Sequence, residues 1–163
     1  MSTLDHGAAV AQKHGISRSP LWSHVRAAHL ARQPACVCCK PGMSPPTLQV
    51  HHIFPFHFCI LLGRPDLELD PRNLITLCET GNGNPAANHH LLIGHLNSFE
   101  SSNLAVQHDA LRTFHGQLAA TIRADKRWIA EVAARLKPFD QMTDHEKTAF
   151  RKRMNARLPR TGA

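Results

Sequence analysis

The sequence predicts an α+β protein in which two short strands precede a helix and further helices flank this centre. Thr47–Ile53, after a proline-rich turn cluster, and Leu74–Cys78 are short apolar segments with the character of strands. A helix is expected to begin near Ala86 or Asn88. Amphipathic spacing predicts helices before and after this centre.

The N-terminal part predicts an arm followed by a helix. Residues 1–17 show no clear period and are expected to form a flexible arm. Ser19 suits an N-cap and Pro20 the first helical position, so a helix is predicted to begin there. Apolar residues over 21–30 recur at helical spacing, and Pro34 should end the helix.

The remaining segments are predicted from residues that interrupt helices and from the spacing of apolar side chains. Residues 55–66 are apolar but interrupted, which predicts a packed loop with one helical turn. Residues 108–137 carry one apolar face, which predicts a single helix roughly 45 Å long. Thr143 and Glu146 have the spacing of a capping box that opens a short basic helix. Residues 159–163 should be a disordered tail.

Composition indicates one domain with terminal extensions and a polyanionic partner. The 163 residues include 19 Lys and Arg against 12 Asp and Glu, a net charge of +7. The pI is about 9.7, which favours nucleic acid as the partner. No apolar run reaches membrane-spanning length, and the first residues lack the pattern of a secretory signal.

Cysteine usage favours metal-bound thiolates over disulfides. Three of the five cysteines fall within the four residues 36–39. That crowding, with an odd total, argues against a disulfide framework and for a reducing compartment, so a cytoplasmic location is expected.

The chain contains an ordered series of cysteine, histidine and asparagine motifs. The order is Cys36-x-x-Cys39, His51-His52-Ile53-Phe54-Pro55, Asn73-Leu74-Ile75-Thr76-Leu77-Cys78 and His89-His90, with His95 beyond. A catalytic metal needs converging imidazoles, and a structural zinc needs paired thiolates.

This series resembles the HNH endonuclease family over about half of the chain. The resemblance implies a small ββα-metal nuclease core with a zinc knuckle at 18–103, and a C-terminal helical extension at 104–158. It implies hydrolysis of DNA phosphodiester bonds that leaves 5′-phosphate and 3′-hydroxyl ends. The catalytic ion would be Mg²⁺, Mn²⁺, Ni²⁺ or Zn²⁺.

The resemblance also implies individual roles. His51 and His90 would bind the catalytic ion, with His95 as a further ligand or else a packing or phosphate-contacting residue. His52 would be the general base. Asn73 would accept the second ring N–H of His52 and so set its tautomer, although an Asn here binds the metal in some branches of the family.

A structural Zn²⁺ is expected on Cys36, Cys39, Cys78 and His89. The family usually has a cysteine at the position of His89, so this site would be Cys3His, which zinc accepts. Cys38 is an alternative to Cys36 or Cys39. Cys59 is expected to be a buried core thiol.

Double-stranded DNA is the expected partner, with Arg72, His57 and Arg26 as nucleic-acid contacts. The protein would be a monomer, or a homodimer through the apolar face of its C-terminal helix. Two alternatives stand: a non-catalytic zinc module that binds nucleic acid or a partner protein, and an RNA-directed or toxin nuclease that uses the same centre.

Overall fold

A small antiparallel sheet lies among short helices. The computed structural model describes residues 16–43, 47–61, 63–79, 88–99, 101–117, 122 and 142–156. In chain order the elements are α1 (Trp22–Arg32), β1 (Leu48–His52), α2 (Phe56–Leu61), α3 (Asp66–Leu69), a 3₁₀ turn (Pro71–Asn73), β2 (Leu74–Cys78), a π turn (His90–Gly94), α4 (Val106–Phe114) and α5 (Asp144–Asn155). This mixture of helix and strand agrees with the predicted α+β class.

The two strands pair antiparallel over five residues each. Leu48 lies opposite Cys78, and His52 opposite Leu74. β2 has its predicted bounds, and β1 is one residue shorter at each end than predicted. All five residues of β2 are buried, so both faces of the strand are covered by other elements.

The alternation of side chains in β1 sends its two histidines to opposite faces. His51 faces the π turn, where its ring lies near those of His90 and His95. His52 faces α1 and α2, where its ring contacts Trp22 and Phe56. Both histidines are buried, so each face of this strand end is enclosed.

The connection between the strands is more helical than predicted. Residues 55–66 were expected to form a packed loop with one helical turn, but α2 and α3 occupy most of this segment. Asp70 caps the following 3₁₀ turn, because its Oδ1 accepts from the Arg72 N–H at 2.9 Å.

Asn73 holds this connection against the end of β1. Its Oδ1 accepts from the Phe54 N–H at 2.7 Å, and its Nδ2 donates to the carbonyl oxygens of Phe54 and Leu67 at 3.0 and 2.9 Å. The side chain is 1% exposed. A buried amide with these partners fixes the turn geometry because losing any of them leaves a polar group unsatisfied.

Among the described residues, two hydrophobic clusters form the core. The larger lies beneath β2 and the π turn and includes Cys36, Cys38, Ile75, Leu77, Cys78, Leu92, Ile93, Leu96, Val106, Ala110 and Ile122. The smaller consists of Phe54, Phe58, Cys59, Leu67 and Met142. Cys59 is fully buried, as predicted, and burial raises the pKa of its thiol to about 12.

The outer helices differ from their predicted bounds. α1 begins at Trp22 rather than at Ser19–Pro20, and the Ser19 hydroxyl accepts from the Leu21 N–H in the turn before it. A single helix over 108–137 is wrong, because α4 ends at Phe114 and Gly116 follows with φ 93°. Glycine at positive φ is a common helix terminator.

The capping box that opens α5 is confirmed. The Thr143 N–H donates to Glu146 Oε2 at 2.8 Å, and the Glu146 N–H donates to Thr143 Oγ1 at 3.2 Å. Most of the predicted arm at 1–17 and all of the predicted tail at 159–163 lie outside the described residues. Beyond residue 117, the 108–137 segment is described only at Ile122. Among the helices within the described ranges, none is long and apolar enough to cross a membrane.

We expect the free energy of unfolding of an Asn73→Ala variant to be about 2–4 kcal/mol lower than that of the wild type. The substitution leaves buried backbone N–H and C=O groups without their hydrogen-bond partner. Urea denaturation of both proteins measures the difference. Asn97→Gly is the control: it changes an exposed asparagine with φ 62°, a conformation that glycine adopts freely. A loss below about 0.5 kcal/mol in Asn73→Ala would contradict this role, since surface changes reach that size.

Candidate metal centres

Three thiols and one imidazole converge in the first centre. The ligand atoms of Cys36, Cys39, Cys78 and His89 all lie within 4.8 Å of one another. Nδ1 of His89 is 3.5, 3.6 and 3.2 Å from the Sγ atoms of Cys36, Cys39 and Cys78. This set can hold a metal ion, and Cys3His is a donor set that zinc accepts.

Three separate segments supply these ligands. The 36–39 loop closes on itself through a hydrogen bond from the Cys39 N–H to the Cys36 carbonyl, and the Val37 N–H ties it to the Thr76 carbonyl of β2. Cys78 is the last residue of β2, and His89 immediately precedes the π turn. The centre therefore joins a loop, a strand end and a helical turn.

Cys38 lies beside this centre without belonging to its ligand group. Its thiol donates to the sulfur of Cys36, and this contact together with burial raises the pKa of Cys38. Hydrogen bonds from Cys38 and Cys78 lower the pKa of Cys36. A sulfur that accepts such bonds is stabilised as the thiolate, which is the form that binds metal.

Three imidazoles converge in the second centre. The ligand atoms of His51, His90 and His95 lie within 4.8 Å of one another. The ring centroids are 5.4 Å apart for His51–His90 and 4.9 Å apart for the other two pairs. The interplanar angles of 75°, 90° and 82° leave no stacked pair. Edges, where imidazole nitrogens lie, can therefore meet at one point.

A π turn is what brings His95 into this group. His90 and His95 are five residues apart, and on a regular α-helix such residues diverge by about 140°. The backbone instead forms a π turn at His90–Gly94, with His95 at its C-terminal boundary. A π turn closes on the fifth residue, and such turns are frequent at functional sites.

Gly94 allows the turn to pack on His51. A Cβ at this position would lie 3.0 Å from Cε1 and 3.1 Å from Nδ1 of the His51 ring, and 3.2 Å from Leu77 Cδ1. A larger residue would have to push the His51 ring or Leu77 away by a few tenths of an ångström, so glycine suits this close approach.

Hydrogen bonds outside the group orient its members. The Nδ1 of His95 donates to the Ser101 carbonyl at 2.8 Å, so the lone pair of the neutral ring is on Nε2. Asn103 binds the π turn by donating from its backbone N–H to Gly94 and from its side chain to Ile93. The same Asn103 amide donates to the fully buried carboxylate of Asp109 at 2.8 Å.

The two centres are joined by consecutive residues. His89 belongs to the sulfur centre and His90 to the imidazole centre. Since adjacent Cα atoms are held about 3.8 Å apart, a backbone shift at one of these histidines is transmitted to the other.

His52 lies on the other face of β1 in an apolar enclosure. Its Nε2 is 2.9 Å from the Glu68 carbonyl, which can only accept, so Nε2 carries the hydrogen and Nδ1 keeps a lone pair. Trp22 stacks on the ring at 4.6 Å. Burial, reinforced by the positive charge of Arg18, lowers the pKa of His52 to about 3. The imidazole is therefore neutral at pH 7.

The predicted contact between Asn73 and His52 is wrong. The ring nitrogen that Asn73 was expected to bind lies instead on the Glu68 carbonyl, and the Asn73 amide is used by Phe54 and Leu67. Asn73 acts on the backbone between the strands. The physical reason is that a backbone carbonyl from α3 already lies in front of the ring.

The three predicted nucleic-acid contacts each have partners within the protein. Arg26 donates to the Leu48 carbonyl and to Gln49 Oε1, both at 3.2 Å. Arg72 is exposed and forms a bidentate pair with Asp70, in which Nε donates to Oδ1 and Nη2 to Oδ2. The His57 ring packs on Phe58 at 4.3 Å.

Sequence reasoning missed the groups that enclose His52. Glu68 is buried and accepts from the Ser19 N–H, and Arg18 lies 3.7 Å from it. The Arg18 guanidinium also lies over the rings of Trp22 and Phe56, at 4.4 and 4.0 Å. A glutamate inside an apolar segment, as in Leu67-Glu68-Leu69, was the signal available in the sequence.

A scan of protein-family models, a search of curated proteins and a search of solved structures found no match to this chain.

We expect Gly94→Ala to weaken Co²⁺ binding at the histidine centre at least tenfold, because the added methyl group displaces the His51 ring. Co²⁺ titration of the zinc-loaded protein, followed by visible absorption, measures this. Gly42→Ala is the control, since it strains a backbone with φ 76° but its Cβ has no atom within 4 Å. It should reduce stability and keep Co²⁺ affinity. Equal Co²⁺ affinities in Gly94→Ala and wild type would exclude this role.

We expect the purified protein to carry zinc at the sulfur centre, and we expect Cys39→Ser to lose this zinc together with Co²⁺ affinity at the histidine centre, because His90 follows His89 directly. Metal analysis of the purified protein and Co²⁺ titration measure the two effects. Cys59→Ala removes a buried thiol outside both centres and should keep both metals. Retention of full Co²⁺ affinity by zinc-free Cys39→Ser would show that the centres are independent.

Proposed function

We propose that this protein is a metal-dependent endonuclease of the HNH type, with a ββα-metal core that hydrolyses DNA phosphodiester bonds. The observation that carries the proposal is the convergence of His51, His90 and His95 beside a neutral His52. The two-stranded sheet followed by a helical turn has the element order that the sequence resemblance implies.

Three imidazoles suit a borderline divalent cation. Neutral nitrogen donors favour Zn²⁺, Ni²⁺ or Co²⁺, whereas Mg²⁺ prefers oxygen ligands. Among the four ions expected from the sequence, Ni²⁺ and Zn²⁺ therefore fit this group best. A cation bound there would stabilise the negative charge that develops on the phosphoryl group and on the leaving 3′ oxygen.

His52 has the protonation state that a general base requires. Its Nδ1 lone pair can take a proton from the attacking water, while Nε2 stays bonded to the Glu68 carbonyl. The new P–O bond forms from this water as the bond to the 3′ oxygen breaks, leaving a 5′-phosphate. Stacking on Trp22 fixes the plane of the ring.

The position of His52 in the strand supports this division of roles. It is the last residue of β1, so its side chain points away from His51 at a strand end rather than within the sheet. A phosphodiester lying across the strand end could contact both faces. Arg18, stacked on Trp22 and Phe56 beside this end, adds a positive charge there.

The sulfur centre is proposed to hold a structural Zn²⁺. Its four donors are protein ligands, which is the closed coordination typical of structural sites. The histidine centre has three protein ligands, which leaves positions for water and substrate, as in catalytic sites. The two donor sets thus divide a structural from a catalytic role.

The net charge of +7 supports a polyanionic substrate. Arg72 and His57 remain proposed DNA contacts. Arg26 is used in hydrogen bonds to β1, so its contribution to DNA binding would be indirect.

We expect His52→Gln to reduce the rate of plasmid nicking about 10²–10⁴-fold, the usual contribution of a general base. The variant keeps a polar side chain of similar size, so metal content and DNA affinity should remain. Nicking is measured on supercoiled plasmid with Ni²⁺, Zn²⁺, Mn²⁺ or Mg²⁺, and His115→Ala, an exposed histidine on the turn after α4, is the control.

Three outcomes would count against the proposal. Wild-type protein that binds DNA but nicks no plasmid with any of these ions favours a non-catalytic zinc module. Cleavage of single-stranded RNA in preference to duplex DNA favours an RNA-directed nuclease with the same centre. Full activity of His52→Gln would remove the proposed base.

A further inference from the structure

A buried carboxylate lies on the outer side of the histidine centre. Glu79 directly follows β2 and is 6% exposed. Its Oε1 is 3.7 Å from Nδ1 of His90. Its backbone N–H donates to the Thr47 carbonyl at 3.1 Å, which fixes the residue at the end of the sheet.

Gln49 and Arg26 hold this carboxylate in place. The Gln49 amide donates to Glu79 Oε2 at 2.6 Å. The amide oxygen of Gln49 accepts in turn from Arg26 Nη2 at 3.2 Å, and the same nitrogen donates to the Leu48 carbonyl. A buried carboxylate is costly unless it is hydrogen-bonded, and here the row of contacts runs from α1 across β1 to Glu79.

The side of His90 that faces Glu79 decides which nitrogen can bind a cation. An imidazole binds metal through one nitrogen, and the hydrogen bond of the other nitrogen fixes its tautomer. Nδ1 of His90 is buried and has no hydrogen-bond partner among the described residues, with Glu79 Oε1 at 3.7 Å. A closure of less than 1 Å would form that bond, and such contacts tighten when a site is loaded.

We propose that Glu79 is a positioning residue that keeps the hydrogen of His90 on Nδ1 and so presents Nε2 to the cation. This inference rests on the proposed role of the histidine centre. Glu79 would also add a negative charge next to three neutral ligands, which strengthens His90 as a donor and offsets part of the charge of a divalent ion.

His90 and His95, at the two ends of the π turn, have polar neighbours of different charge. His95 donates to the neutral Ser101 carbonyl, whereas His90 faces a carboxylate. Glu79 also follows Cys78 as His90 follows His89, so the carboxylate and the imidazole are both adjacent in sequence to ligands of the sulfur centre. The placement of the pair therefore depends on that centre.

The experiment compares zinc-loaded wild type with Glu79→Gln, which keeps the shape of the side chain and removes its charge. We expect Co²⁺ affinity at the histidine centre to fall about 10–100-fold, as when other groups that hydrogen-bond metal-binding histidines are removed. Long-range ¹H–¹⁵N NMR of the imidazoles, assigned for His90 with a His90→Gln variant, should show the Nδ1–H form in wild type and a tautomer mixture in Glu79→Gln.

Glu68→Gln is the matched control, because Glu68 is an equally buried carboxylate that faces Arg18 and Ser19 instead of the histidines. It should leave Co²⁺ affinity and the His90 tautomer unchanged. If Glu79→Gln fails to retain zinc, Gln49→Met provides the test. It removes the donor to Glu79 Oε2 while keeping the carboxylate, and we expect Co²⁺ affinity to fall at least threefold.

Unchanged affinity together with an unchanged tautomer in Glu79→Gln, or in Gln49→Met where that variant replaces it, would overturn the role of Glu79. Neither readout involves DNA cleavage. If the wild-type protein cleaves no DNA, the proposed function is contradicted while the role of Glu79 can still be tested by these two readouts. If the wild type cleaves DNA but the Glu79 variants change neither readout, the proposed function stands and the role of Glu79 does not.

Discussion

The convergence of Cys36, Cys39, Cys78 and His89 is the contact on which the rest of the structure depends. It joins a loop, a strand end and the start of the π turn, which lie far apart in sequence. The sulfur atoms also belong to the larger core cluster, so this centre and the packed interior are one unit. Structural zinc contributes about 10–16 kcal/mol in small peptides, against about 5–15 kcal/mol for the stability of a whole domain. If zinc occupies these ligands, its binding energy is comparable to the stability of the entire fold.

The position of the histidine centre depends on the sulfur centre and on the strand pairing. His90 is held by its neighbour His89, and His51 by the pairing of β1 with β2. Gly94 lets the two come together, and Asn103 fastens the turn from the other side. No single element contributes the whole centre. Its geometry depends on the register of a five-residue strand pair and on one irregular helical turn, both of which a small displacement would disturb.

The face of His52 is built by different means. Aromatic rings from α1 and α2 lie against the ring, and a backbone carbonyl from α3 fixes its hydrogen. Burial in this setting disfavours the imidazolium and keeps the ring neutral. The consequence is a low basicity of His52, so the proposed base would need a cation at the histidine centre to make the attacking water more acidic. The alternation of side chains along β1 thus separates the face of His51 from the face of His52.

The sequence by itself determined the two strands, the α+β class, the buried thiol of Cys59 and the residue types able to bind metal. These follow from local period, from turn residues and from donor chemistry, which a sequence displays directly. The tertiary structure decided the rest. Asn73 bonds to backbone because the Glu68 carbonyl lies in front of His52, and Arg26 bonds to Gln49 because α1 crosses β1. The π turn that returns His95 depends on how the backbone packs against His51 and Leu77. Such contacts join residues distant in sequence, and no periodicity encodes them.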